Sequence, residues 1–143
     1  MKRGFTMIEL VFIIIILGIL ASVALPKFKG VSDQAHKVNL KNFETTLNAS
    51  VAPTLWSKSL SDNKGGDISY LDLRYVKGAT DNNFTDYTDF PKEIQELNTT
   101  DCNDSTTYKV VGYVDSNLVG KDMNISCKDG SAGRAPKFKL GNP

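Results

Sequence analysis

Apolar residues at the start of the chain form an unbroken run. From Leu10 to Leu25 no side chain is charged, and the run is apolar on every face of a helix. As a helix, residues 5–25 would extend about 30 Å, which matches the hydrocarbon core of a bilayer. A helix that is apolar all round either spans a membrane or is enclosed by protein, and the rest of this chain is too small and polar to enclose it. We therefore expect a transmembrane helix over residues 5–25.

The next segment changes from an all-apolar to an amphipathic pattern. Over residues 26–53, apolar side chains recur at three- and four-residue spacing between Lys, Asp and Asn residues, which predicts a helix with one face on a core. Pro26 removes one backbone hydrogen bond and predicts a bend, and Pro53 predicts the end of the helix. Residues 54–143 would form the head. The apolar positions of the stripe are Phe28, Val31, Ala35, Val38, Leu40, Phe43, Leu47 and Val51.

Short strand patterns fill most of the head. Residues 57–67 are rich in Ser, Gly and Asp and predict a loop, whereas residues 91–97 favour a short helix. Three or four antiparallel strands packed on a helix give an α+β fold. The strand patterns lie at residues 68–76, 108–114, 123–127 and 138–140.

One acidic residue interrupts the apolar start of the chain. Glu9 is the only acid before Asp33, and it follows the basic residues Lys2 and Arg3. An ionised carboxylate at the centre of a membrane helix costs about 3 kcal/mol, and less near the interface. A secretory signal or a plain anchor would gain nothing from it. A helix packed against identical helices could pair it across subunits, so the sequence favours a helix that assembles.

The residues around this acid resemble a known processing site. The stretch Gly4-Phe5-Thr6-Met7-Ile8-Glu9-Leu10 is similar to the cleavage motif of type IV pilins and of the pseudopilins of type II secretion systems. The resemblance extends over residues 2 to 30. It includes Gly18 and Pro26, where helices of this family usually loosen or bend.

The resemblance implies a defined maturation. A prepilin peptidase would remove residues 1–4 as a leader by cutting between Gly4 and Phe5, and would N-methylate Phe5. The Glu9 carboxylate would then act in assembly by pairing with a neighbouring subunit's amino terminus. Losing the basic leader would release the N-terminus from the cytoplasmic face of the membrane.

The resemblance also implies function, partners and location. The chain would be a structural subunit of a type IV pilus or a type II secretion-like pseudopilus, serving protein secretion, adhesion and motility, or DNA uptake, with no enzymatic activity. Its partners would be identical or related pilin subunits, the prepilin peptidase, the inner-membrane assembly platform and the membrane itself. The precursor would cross the bacterial inner membrane once with its head in the periplasm, before entering an extracellular pilus or a periplasmic pseudopilus. The alternative is a secreted binding module whose signal peptide is cut after Ala24.

Two cysteines, Cys102 and Cys127, lie outside the cytoplasm in this orientation, where disulfides persist. The chain has no CxxC spacing and a single histidine, His36, so a zinc site lacks ligands. We predict a disulfide worth roughly 3 to 4 kcal/mol on a chain-entropy estimate. Type IV pilins resemble this chain in closing a C-terminal loop with one bridge, whereas many major pseudopilins lack it.

Other chemistry is largely missing from the sequence. It contains no nucleophile elbow, P-loop, dinucleotide fingerprint or HExxH, and no clustered acid pair. Residues 122–127 imitate the start of an EF-hand loop but have cysteine in place of the required glycine, so this loop is rejected as a calcium site. The scattered aspartates of residues 101–129 could still hold a calcium ion, but solvated loop acids are the favoured interpretation, so no metal and no cofactor are predicted. The head is near neutral to slightly acidic, which gives no indication of DNA as a partner.

Glycan acceptor patterns are frequent in the head. Asn-x-Ser/Thr occurs five times, and at four of these sites an acid stands two residues earlier, which resembles the extended acceptor sequence of bacterial N-linked glycosylation. The competing interpretation is chance in a region rich in Asp, Asn and Thr. The four candidate glycosylation sites are Asn83, Asn98, Asn103 and Asn124, and the fifth pattern is at Asn48.

Overall fold

The computed structural model describes residues 4–141, so the leader residues Lys2 and Arg3 lie outside the described part. Its first element is one long helix, as predicted. The α-helix α1 (Met7–Thr46) continues through a π-helical turn (Leu47–Val51) into α2 (Ala52–Ser61). With the β-sheet described below, this gives the expected α+β fold.

The chain divides into two compact units, one ending at Ala35 and one beginning at His36. The first unit holds residues 4–6 and the N-terminal part of α1, and residues 4–28 are all exposed. The helix Met7–Ser61 includes a window of mean hydropathy 2.9, long and apolar enough by length and composition to cross a membrane. The helix also continues through Pro26, and the bend there stays a prediction.

The predicted helix end at Pro53 is wrong, because α2 continues to Ser61. In the π-helical turn, the Ala52 N–H donates to the Leu47 carbonyl, one residue further back than in an α-helix. Pro53 therefore falls in the first turn of α2, where a proline's missing N–H is tolerated. Part of the predicted loop at residues 57–67 is consequently helical.

The second unit contains a five-stranded antiparallel sheet whose strands lie in chain order. The last three predicted strands are confirmed, whereas the strand predicted at residues 68–76 is reduced to three residues after a 3-10 turn at Ser69–Leu71. The helix predicted at residues 91–97 is wrong, because most of that segment pairs with strands on both sides. Tertiary pairing here outweighs local helix preference. The strands are β1 (Arg74–Val76), β2 (Ile94–Asn98), β3 (Lys109–Val114), β4 (Asn124–Lys128) and β5 (Lys137–Gly141).

The core of the head lies between the C-terminal part of the helix and one face of the sheet. The predicted stripe is buried from Leu40 onward, but Phe28, Val31, Ala35 and Val38 are exposed, which corrects the expectation that the whole stripe packs on a core. The disulfide between Cys102 and Cys127 is formed inside the core, as predicted. The other buried apolar side chains from the helix and sheet are Phe43, Leu47, Val51, Ala52, Leu55, Ile94, Leu97, Val111, Val114, Ile125 and Phe138.

An asparagine side chain occupies one backbone position on each free edge of the sheet. On β5, the Asn48 Nδ2 donates to the Phe138 carbonyl at 2.8 Å, and the Phe138 N–H donates to the Asn48 Oδ1 at 2.9 Å. On β1, the Asn82 Nδ2 donates to the Val76 carbonyl at 2.9 Å, and the Val76 N–H donates to the Asn82 Oδ1 at 2.7 Å. An edge strand with paired backbone groups is a poor template for another strand. These two positions are therefore closed to strand addition.

Candidate functional site

The N-terminus of α1 is closed by a capping box formed by Thr6 and Glu9. The Thr6 N–H and the Thr6 hydroxyl both donate to the Glu9 Oε2 at 2.8 Å. In return, the Glu9 N–H donates to the Thr6 Oγ1 at 3.3 Å. This reciprocal arrangement satisfies backbone donors that have no partner at the start of a helix.

The capping box changes the argument drawn from the lone acid. The pattern Thr-x-x-Glu before an apolar run is a sequence signal for this cap, and it could have been recognised in residues 6–9. The premise that Glu9 has no use in a single anchored chain is therefore wrong. Its carboxylate already has partners in its own subunit, and pairing with a neighbouring subunit is an additional role that stays a prediction.

Gly4 and Phe5 precede this cap in non-helical backbone. Both are exposed, with Phe5 at 83% of its full accessible surface, and α1 begins only at Met7. A Cβ added at Gly4 would meet no atom within 4 Å. The bond between Gly4 and Phe5 thus lies in a segment that a protease can reach without first unwinding the helix.

The apolar surface of α1 is uncovered in the single chain. From Phe5 to Leu25 the large apolar side chains are exposed by 41% to 83% of their surface, and a Cβ at Gly18 would meet no atom within 4 Å. Fully burying one large apolar side chain is worth about 1.5 to 3 kcal/mol, so this surface strongly favours a lipid or protein environment. The one hydroxyl well inside the run, on Ser22, donates to the Ile19 carbonyl at 2.7 Å. The segment therefore carries little polarity that would oppose burial.

A buried acid forms a polar link between the helix and the start of β2. The Glu93 Oε1 lies 2.5 Å from the His36 Nδ1 and accepts from the Asn39 Nδ2 at 3.3 Å, and Glu93 is only 1% exposed. Burial raises the pKa of Glu93, but the hydrogen bonds from His36 and Asn39 outweigh it and hold the pKa below its usual value. Within the described residues, the Glu93 Oε2 has no hydrogen-bond partner. Sequence reasoning gave none of these residues a role, since nothing local connects positions 36 and 93.

A second buried acid lies in the loop between β4 and β5. The Asp129 Oδ1 accepts from the Ile68 N–H at 3.1 Å and from the Gly130 N–H at 2.7 Å, with only 4% of the residue exposed. Burial, with a smaller contribution from the neighbouring Asp67, raises the pKa of Asp129 to about 6. Among residues 4–141, no group of three or more His, Cys, Asp or Glu side chains could hold a metal ion.

The four candidate glycosylation sites occupy different environments. Asn124 is 7% exposed in β4, between β3 and β5, and Asn98 is half-buried and accepts from the Thr100 N–H at 3.0 Å. Asn83 is exposed, but its Nδ2 donates to the Asp72 carbonyl at 2.9 Å. Asn103 is exposed, and only its Oδ1 is bonded in the described structure, to the Lys109 Nζ at 2.8 Å. Of the four, Asn103 therefore offers its amide nitrogen most freely, and glycosylation stays a prediction.

Comparison with known proteins places the similarity at the N-terminus. Residues 1–25 match the family described as the prokaryotic N-terminal methylation motif. The chain is also 47% identical over 38 residues to the type IV narrow pilus major component PilA5 of Thermus thermophilus.

That similarity is short. It covers 27% of this chain and 33% of the Thermus protein, so it spans about a third of the relative's length. No solved structure matches the chain. The expected resemblance is confirmed for the N-terminal segment: the exposed apolar helix of this α+β protein carries the prokaryotic N-terminal methylation motif and is similar there to a type IV pilin.

Proposed function

We propose that this protein is a structural subunit of a type IV pilus or a related pseudopilus, without catalytic activity. The observation that carries the proposal is the long apolar helix surface, which is exposed in the single chain and lies within the segment that matches the methylation motif. A soluble monomer has no use for such a surface. A subunit that leaves the membrane to enter a bundle of identical helices needs this apolar surface twice: against lipid in the membrane and against neighbouring helices in the filament.

Maturation would begin at the exposed Gly4–Phe5 bond. We infer that a prepilin peptidase cuts this bond and methylates the new amino group of Phe5. The precursor would be held in the inner membrane by residues 5–25, with the head in the periplasm. The assembly platform would then move the subunit into the filament, where neighbouring apolar helices replace lipid around α1.

Charge pairing would set the axial register of the helices. Cleavage creates an ammonium at Phe5, and methylation leaves it positive. The Glu9 Oε2 is occupied by Thr6, whereas no described donor reaches the Glu9 Oε1, which is available to the Phe5 ammonium of a neighbour. A buried charge without a partner costs several kcal/mol, so subunits would settle where each ammonium meets a carboxylate.

Two observations favour a pilus over a secretion pseudopilus. The similar Thermus protein is the major component of a narrow pilus. The Cys102–Cys127 disulfide resembles the single bridge that closes a C-terminal loop in type IV pilins. Use of the filament in adhesion, motility or DNA uptake would follow from the machine that assembles it.

The amino terminus of the mature protein tests the proposal directly. We expect mass spectrometry of protein from the native host to find a chain that begins at N-methylated Phe5. A Gly4→Val variant should accumulate uncut in the membrane fraction, because the peptidase needs the small residue before the bond. A wild-type chain that begins at Leu25 would instead show a signal peptide cut after Ala24 and a secreted binding module.

A further inference from the structure

The two ends of the sheet carry opposite charge. Because the strands lie in chain order, an imbalance of charge along the sequence becomes an imbalance across the head. Residues 67–101, which contain β1 and β2, hold eight acidic and three basic side chains. Residues 102–141, which contain β3 to β5, hold six basic and four acidic side chains.

The basic end has a cluster of three lysines on adjacent strands. Lys128 of β4 lies directly opposite Lys137 of β5, and Lys139 follows on the same face of β5, opposite Ser126. Like charges directly opposite each other in a sheet repel. Within the described residues, none of the three lysines forms an ion pair. This lysine strip, Lys128, Lys137 and Lys139, therefore has no ion-pair partner in the described part of its own head.

The acidic end has its exposed carboxylates in the connection between β1 and β2. Asp81, Asp86 and Asp89 are all exposed, and none forms an ion pair within the part of the chain that the structure describes. The side chains of Asn82 and Asn83 bond to the backbone of β1 and hold this connection against the edge of the sheet. This aspartate loop, residues 81–89, is thus fixed at the opposite end of the sheet from the lysine strip.

The occupied edge positions restrict how two heads can meet. Asn48 and Asn82 occupy backbone groups that an added strand would need, which disfavours strand addition and favours contact between heads through side chains. Complementary patches at opposite ends of one molecule form a heterologous interface. Such an interface repeats in one direction and generates rings or helical filaments.

We propose that the lysine strip of one head docks on the aspartate loop of the next copy in the filament. The proposal rests on the proposed function, and it names the surface that joins the heads of neighbouring subunits. Opposite patches orient the approaching subunit and exclude like-charged arrangements. Contact between copies also supplies the ion-pair partners that each patch lacks within the described part of the single chain.

Charge reversal and rescue in the full-length protein test this docking. In the native host, we expect Lys137→Glu/Lys139→Glu to lower the number of filaments seen by electron microscopy by roughly tenfold, because like charges then face each other. Asp86→Lys/Asp89→Lys should lower it similarly. Combining all four changes should restore filaments to about the wild-type number, since the two patches then attract each other again with their charges exchanged.

A matched control keeps the result interpretable. Lys58→Glu/Lys64→Glu makes the same change in net charge outside both patches, and it should leave the filament number near wild type. Rescue by the four-fold variant cannot occur if either pair of changes unfolds the head. The melting temperature of each patch variant in detergent provides a second check, and these should match wild type because the altered side chains are exposed and form no ion pair among the described residues.

Three outcomes would contradict the docking. Reversal variants that assemble like wild type, or a four-fold variant that is not rescued, would show that the patches do not meet. Normal filaments that lose binding to double-stranded DNA in the Lys137→Glu/Lys139→Glu variant would make the strip a nucleic-acid surface instead. A wild-type protein that forms no filaments would count against the proposed function itself, and this result differs from the other three.

Discussion

At the start of α1, one carboxylate serves both the helix and, by our proposal, the filament. The Glu9 Oε2 accepts two hydrogen bonds from Thr6, and this cap fixes the start of the helix just after the cleavage site. A glutamine at this position can also complete a capping box, because its side-chain oxygen accepts the same bonds. The cap and the charge of Glu9 can therefore be separated by substitution.

Glu9→Gln should retain the cap at the start of the helix but prevent filament assembly. We expect normal processing at the Gly4–Phe5 bond but a strong loss of filaments, because the amide cannot neutralise a neighbour's ammonium. Thr6→Ala should have the milder effect, about 1 kcal/mol of helix stability, because it removes the cap and leaves the charge. Electron microscopy and the amino-terminal mass measure filament number and processing in both variants, and thermal unfolding in detergent measures the loss of stability in Thr6→Ala. Equal filament numbers in Glu9→Gln and wild type would rule out the pairing mechanism.

The buried Asp129 should make the head less stable as the pH rises. Its pKa is raised from an ordinary value of 3.8 to about 6, so the folded state binds the proton more tightly than the unfolded state. The resulting stabilisation is complete below about pH 4 and is lost as the pH rises through about 6. At neutral pH, the folded head therefore holds a carboxylate that would be more stable in water.

Asp129→Asn should remove this dependence. The amide oxygen can still accept from the Ile68 and Gly130 N–H groups, and no charge is buried. We expect the variant to be more stable than wild type at pH 7.5, by on the order of 1 to 3 kcal/mol, and similar to it at pH 4. Thermal unfolding of the detergent-solubilised protein at both pH values measures the difference. The exposed Asp81→Asn serves as the control, and an unchanged pH profile in Asp129→Asn would assign the dependence to another group.

At the scale of elements, the π-helical turn connects the long helix to the edge of the sheet. Asn48 lies in this turn, and its Nδ2 donates both to the Glu44 carbonyl at 2.9 Å and to the Phe138 carbonyl at 2.8 Å. The same side chain accepts from the Phe138 N–H. The Asn48 side chain thus links the helix to β5 and occupies the Phe138 backbone groups to which a sixth strand would bond.

Asn48→Ala should weaken both connections. Removing the amide leaves the Phe138 N–H and carbonyl without their partner, which costs about 1 to 3 kcal/mol when such groups are partly buried. We expect a lower melting temperature and faster hydrogen exchange at the Phe138 amide. Asn42→Ala, at an exposed position of the same helix, is the matched control. Unchanged exchange at Phe138 would mean that the Asn48 bonds do not persist in solution.

At the scale of the whole molecule, the sequence predicted the parts whose signals are local or strongly periodic. The apolar run, the motif around Gly4 and the alternating strand of residues 108–114 each have a pattern that one segment contains. The cysteine pair was predictable because only two cysteines exist. These features gave the fold class and the N-terminal similarity correctly.

The remaining features depend on contacts between distant segments. Nothing near Pro53 predicts that a π-helical turn moves it into the first turn of a helix. Residues 94–98 become a strand only because strands on both sides pair with them. The link from His36 to Glu93 joins positions 57 residues apart, and no local rule brings them together.

That link sets a practical limit on which fragment of this protein can be studied in water. The apolar core begins at Leu40, so a fragment that starts there would retain every buried hydrophobic side chain of the head. It would lose His36 and Asn39, and with them both side-chain hydrogen bonds that link the Glu93 carboxylate to the helix. A soluble fragment for crystallisation or NMR should therefore begin at least one helical turn before His36, even though those extra residues add nothing to the core.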